Sequence, residues 1–96
     1  MPKGYLIAHV TITDPDAYAG YAQAAGEALK GFNPNVVTWS GRHENVEGDA
    51  HEKHVVLEFA SFEEAQRFYH SPAYEAARAL REHAAHGSFY LVEGEA

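Results

Sequence analysis

Twice in this chain a run of alternating β-formers stops directly at a helix-start signal, and that arrangement limits the fold more than anything else in the sequence. From Tyr5 to Thr13 the residues favour a strand. One parity holds Leu6, Ala8, Val10 and Ile12, all apolar, and the other holds Tyr5, Ile7, His9, Thr11 and Thr13, a mixed face. Asp14-Pro15 follows at once: the Asp carboxylate can accept from free amides, and Pro suits the first helical position. Further on, a strand over His54 to Phe59 runs into Ser61-Phe62-Glu63-Glu64, which has capping-box spacing.

The segments between complete the pattern. The first helix is expected to run to about Lys30, with Tyr18, Tyr21, Ala22, Ala25 and Leu29 on one stripe. Gly31 can close it, and Asn33-Pro34-Asn35 is a turn. Val36 to about Val46 reads as a second strand bent at Gly41, with a polar loop around Glu47-Gly48-Asp49. The helix after Ser61 buries Ala65, Phe68 and Tyr69 and restarts at Ser71-Pro72, with Ala73, Ala76, Ala77, Leu80 and Ala84 inward. Gly87 is expected to end it, and Ser88 to Glu93 forms the last strand. The order is β-α-β-β-α-β with the second helix broken at Ser71-Pro72. This is the ferredoxin-like pattern of the α+β class, a four-stranded, antiparallel-rich sheet with its helices on one face. The first and third strands are expected side by side and parallel at its centre. One domain over residues 1–96 is the expectation for this length.

Composition removes several function classes. Fourteen acidic against seven basic side chains give a formal charge of −7, the wrong sign for a nucleic-acid groove or an anionic membrane surface. No apolar run approaches the roughly 20 residues of a membrane span, and the first residues carry no signal-like apolar core. The absence of cysteine removes disulfides, thiolate nucleophiles and Cys-type metal sites, and suits a cytoplasmic location.

With the helices over Leu6, Ala8 and Val10, the opposite face carries Tyr5, Ile7, His9 and Thr11 beside His54, Val56 and Glu58. Such a face is too apolar for open solvent, which points to a two-fold homodimer enclosing a mixed cavity. A half-wet sheet in a monomer is the alternative. His9 and Glu58 are the expected acid–base pair: a carboxylate orients an imidazole and raises its pKa above about 6.5. The competing reading is a polar pair that only fixes register. Candidate cavity residues are Tyr5, Ile7, Thr11, His54 and Val56 on this face, with the aromatics Trp39, Tyr21 and Tyr74 and the arginines Arg42 and Arg81.

Seven histidines invite a metal reading, with His83 and His86 at helical spacing and His51 and His54 flanking a strand. No HExxH motif is present and the two pairs lie in different elements, so neither a metal nor any other cofactor is expected. Ser61 and Ser71 are accounted for as helix caps, and no glycine-rich phosphate loop occurs.

Gly4-Tyr5-Leu6-Ile7-Ala8-His9-Val10, Thr13-Asp14-Pro15-Asp16-Ala17-Tyr18, Glu58-Phe59-Ala60-Ser61-Phe62-Glu63, Ser71-Pro72-Ala73-Tyr74 and Leu91-Val92-Glu93-Gly94 occur in this order along the chain. Together they resemble the domain-of-unknown-function family 1330. Trp39-Ser40-Gly41-Arg42 follows the family's glycine-rich segment only loosely. The resemblance implies a ferredoxin-like protomer of the dimeric α+β barrel superfamily, and no catalytic residue. The expectation is therefore a homodimer that binds a small molecule, in enzymatic form a cofactor-free acid–base catalyst of monooxygenase or isomerase type. The alternative is a non-catalytic dimerisation or ligand-sensing module.

Overall fold

A computed structural model describes residues 2–95. Its elements are β1 (Gly4–Ile12), α1 (Pro15–Leu29), β2 (Asn35–Trp39), β3 (Lys53–Phe59), α2 (Phe62–Tyr69), α3 (Pro72–Arg81) and β4 (Ala85–Glu93). All three helices begin as the sequence predicts. Asp14 accepts from the Ala17 amide, Ser61 from Glu64 and Ser71 from Tyr74, each satisfying an amide that lacks an intrahelical partner.

The strands lie in the order β2-β3-β1-β4, and every neighbouring pair is antiparallel. The expected parallel pairing of the first and third strands is therefore corrected. The α1 crossover makes β2, not β3, parallel to β1, and the return from β2 to β3 reverses the chain before it enters the gap between them. The expected barrel is corrected too. The sheet is open: β2 pairs only with β3, β4 only with β1, and four strands are about half the number that closes a small barrel. The short β2–β3 edge ladder is itself interrupted by a shift of register between Val36 and Thr38.

The core lies between the sheet and the helices. Leu6, Ala8 and Val10 of β1 and Val55, Leu57 and Phe59 of β3 point into it. Ala65 and Phe68 of α2 and Tyr18, Tyr21 and Ala25 of α1 close over them. Among the described residues no polar or charged residue is buried.

Three local readings change. β2 stops at Trp39 rather than running to Val46, because Ser40 turns to φ 60°, outside the extended region, and residues 41–52 form no regular element. In α3 the inward residues are Tyr74 and Ala77; Leu80 is 53% exposed, and Ala73 and Ala76 are exposed as well. Burying the much larger Tyr74 ring against Phe68, 4.7 Å between centroids, sets the rotation of that helix. Gly87 does not end a helix. It sits inside β4 opposite Val10, where a Cβ would run into the His9 carbonyl.

The cytoplasmic expectation gains no support from the fold. Among the described residues, no helix is long and apolar enough to cross a membrane.

Candidate functional site

Antiparallel pairing decides which side chains meet on the uncovered face. In the β1–β3 register Tyr5 stands opposite Glu58, Ile7 opposite Val56 and His9 opposite His54. His9 and Glu58 are thus four register positions apart, about 13 Å at ~3.3 Å per residue, and the expected acid–base pair does not form. Glu58 instead accepts from the Tyr5 hydroxyl at 2.8 Å and from Asn35 Nδ2 at 3.4 Å. Tyr5 is held above its ordinary pKa of 10.0, first by that hydrogen bond, then by burial and by the Glu58 charge.

His9 finds another histidine. Its Nδ1 lies 2.7 Å from Nδ1 of His54, whose Nε2 lies 3.0 Å from the His51 carbonyl. A carbonyl only accepts, so His54 Nε2 carries its hydrogen and the Nδ1 of the neutral ring is bare. His9 Nδ1 is then the donor, and His9 Nε2 keeps a free lone pair. His43 packs on His54 with centroids 4.4 Å apart, while His51 Nδ1 meets Thr11 Oγ1 at 3.0 Å and the His51 ring lies 6.1 Å from His86. The His9 pKa is lowered from 6.5, first by burial, then by repulsion from His54 and His51. That reverses the expected direction, which rested on the Glu58 carboxylate.

Among the described residues no group of three or more His, Asp or Glu side chains is arranged to hold a metal ion. The helical spacing of His83 and His86 is broken, because α3 ends at Arg81 and His86 belongs to β4.

The other cavity candidates lie on the opposite side of the sheet. Trp39, Tyr21 and Tyr74 line a cleft between the sheet and α1, floored by Leu6, Ala8 and Val10 and closed by Phe68. Its cavity volume is ≈ 40 Å³. The Tyr21 and Tyr74 hydroxyls pair at 2.7 Å in this buried wall. Burial is the first cause raising the pKa of both; the nearby Arg81 opposes the shift without overcoming it. Arg81 lies over the Phe89 ring at 4.0 Å and the Tyr21 ring at 5.3 Å, with its buried Nε unpartnered. Arg42 joins neither site and stands exposed between β2 and β3.

Lys53 is the residue that sequence reasoning missed. It lines the same cleft, its Nζ donates to Ser40 Oγ at 2.6 Å, and it lies over the Trp39 ring at 5.2 Å and the Tyr18 ring at 5.9 Å. Burial lowers its pKa from 10.5. Starting the third strand at His54 leaves Lys53 in the loop. Counting back from Phe59, Leu57 and Val55 would have found a lysine in the core-facing parity.

The topology and the helix-covered core define a ferredoxin-like protein. The chain belongs to the family described as Domain of unknown function (DUF1330), whose model matches residues 3–95. No curated protein matches it. Among solved structures it is similar to a protein of unknown function from Rhodopseudomonas palustris, with TM-score 0.74 and 16% identity, covering 99% of this chain and 84% of that one. It is also similar to SnoaB, a cofactor-independent oxygenase from Streptomyces nogalater, with TM-score 0.66 and 10% identity over 100% of this chain and 96% of that one. A third is a dimeric ferredoxin-like protein of unknown function from Thermobifida fusca, with TM-score 0.64 and 16% identity over 99% and 92% of the two chains. At these identities the likeness is one of fold.

Proposed function

We propose that this protein is a small-molecule binder that takes a compact, largely apolar ligand into the cleft under α1 and works as a homodimer joined through its uncovered sheet face. The observation that carries the first part is the cleft wall itself. Tyr18, Tyr21, Trp39 and Tyr74 present aromatic surface around an apolar floor, with Lys53 as the one cation in the lining. The Streptomyces oxygenase needs no cofactor on the same fold, which makes cofactor-free turnover the enzymatic form of this reading.

Ile7 and Val56 support the second part. They sit side by side at the centre of the uncovered face, next to Tyr90, which is 51% exposed. A second copy is the fitting occupant, since the apolar centre of the face can pack against its own counterpart across a two-fold axis and the Thermobifida protein of this fold is dimeric.

A thermal-shift panel of aryl acids, amides and alcohols tests the cleft. A member present at 100 times its dissociation constant stabilises the fold by about 2.7 kcal/mol. A panel with no stabilising member contradicts the proposal.

A further inference from the structure

The cleft is lined by one cation, Lys53, that forms no ion pair among the described residues. Lys53 sits on the core-facing parity of β3, opposite Val10, which is 1% exposed. Among the described residues the ion pairs are Lys30 with Glu27 and Arg67 with Glu64, so no carboxylate neutralises Lys53 despite fourteen acidic residues in the chain. Of its three N–H donors one is used on Ser40. Holding an ammonium against apolar surface without a counter-ion is costly, and a cation lining an aromatic-walled cleft is placed to receive an anion.

We propose that Lys53 selects the ligand: the cleft takes a small aryl or similarly flat apolar molecule bearing one carboxylate or equivalent oxyanion, which pairs with the Lys53 ammonium. This rests on the cleft being the ligand site. The apolar body lies over Val10 and Val55 and beneath Tyr18, while the anionic end meets Nζ. The ≈ 40 Å³ present is well short of the ~150 Å³ of a cavity known to hold benzene, so entry requires a wall to move. Trp39 is the wall best placed to move, because it is 45% exposed on the edge strand while the other large aromatic side chains of the lining are more deeply buried. The overall charge of −7 sharpens the inference: the protein's field repels anions, so a preference for them needs a local cation.

Cinnamate and cinnamamide differ in that one charge and are the probes. The chain has a single tryptophan, so the Trp39 indole signal in 1H–15N spectra reports on the cleft alone. In the wild type, cinnamate is expected to shift that signal with a dissociation constant at least tenfold below that of cinnamamide. Lys53→Met should remove the difference by weakening cinnamate and leaving cinnamamide unchanged. The unchanged cinnamamide binding shows that Lys53→Met keeps its fold, and Lys53→Arg, which keeps the charge, should retain a preference for the acid. Equal binding of acid and amide to the wild type, or an acid preference that survives Lys53→Met, would overturn the role of Lys53 while leaving the cleft as a site. Failure of both probes to move the Trp39 signal would overturn the cleft reading and this one with it.

Discussion

The two faces of β1 are made by the same nine residues and differ in what they tolerate. Toward the helices, Leu6, Ala8 and Val10 are almost fully buried, and the Tyr21 and Tyr74 hydroxyls satisfy each other. Toward the open side, Tyr5, Ile7, His9 and Thr11 are all half-buried, and the polar contacts run in a chain from His9 through His54 and His51 to Thr11. The first face is packed with apolar side chains and admits a guest only where a wall of the cleft moves. The second keeps titratable groups at the edge of burial, where assembly or protonation decides their state.

The largest expected effect tests the covered face. Phe68 is 1% exposed and touches Phe59 and Tyr74. Phe68→Ala is expected to cost about 3–5 kcal/mol, read from urea unfolding, with no dependence on protein concentration beyond that of the wild type. Loss below ~1 kcal/mol would mean that the core between α2 and the sheet is not as closely packed as its burial implies.

The uncovered face should respond in a different observable. Val56→Asp places a charge at the centre of the proposed interface, where it has no partner. The dimer dissociation constant is expected to rise by at least about a hundredfold, or ~2.7 kcal/mol, with the protomer still folded. Light scattering across a dilution series measures it. A wild type that is monomeric at micromolar concentration removes the interface and leaves the cleft untouched.

How far the sequence reached follows the same division. Helix starts were legible because Asp14, Ser61 and Ser71 act on amides three residues away, a local event with a local signature. The buried parities of β1 and β3 were legible because alternation needs only the chain itself. Partners across strands were not. Pairing His9 with Glu58 assumed a parallel neighbour, and the reversal of β3 exchanged both partners at once, giving His9 to His54 and Glu58 to Tyr5. The division of the cavity candidates was hidden for a related reason. Trp39 and Tyr74 reach the cleft only because β2 ends at Trp39, before the turn at Ser40, and α3 rotates Tyr74 inward, two tertiary outcomes that no periodicity encodes.

A smaller effect separates the polar contacts of the two faces. Tyr21→Phe removes one hydroxyl of the buried 2.7 Å pair and leaves the Tyr74 hydroxyl without that partner, so about 1–3 kcal/mol should be lost on urea unfolding. Tyr5→Phe, whose partner Glu58 also accepts from Asn35, should cost less than Tyr21→Phe in the same experiment. The reverse order would mean that the uncovered face is the better buried of the two.

The smallest effect is the proton on His9. Burial, His54 and His51 all lower its folded pKa below the ordinary 6.5, so between the two values the unfolded chain holds the proton more tightly. Stability from this site is therefore complete above about 6.5 and is lost as pH falls through the lowered folded value. The hydrogen-bond chain supplies the structural reason. One added proton can sit on the free His9 Nε2, but a second on His54 Nδ1 would set two donors against each other across 2.7 Å. NMR titration should give His9 a pKa below 6.5 in the wild type and a higher one in His54→Gln, which removes the second cause and leaves burial in place. Glu58→Gln should leave the His9 value where it is and lower that of Tyr5, which loses the hydrogen bond that raises it. A His9 pKa that moves with Glu58 and ignores His54 would restore the parallel pairing of the central strands and reject the antiparallel register on which both faces are built.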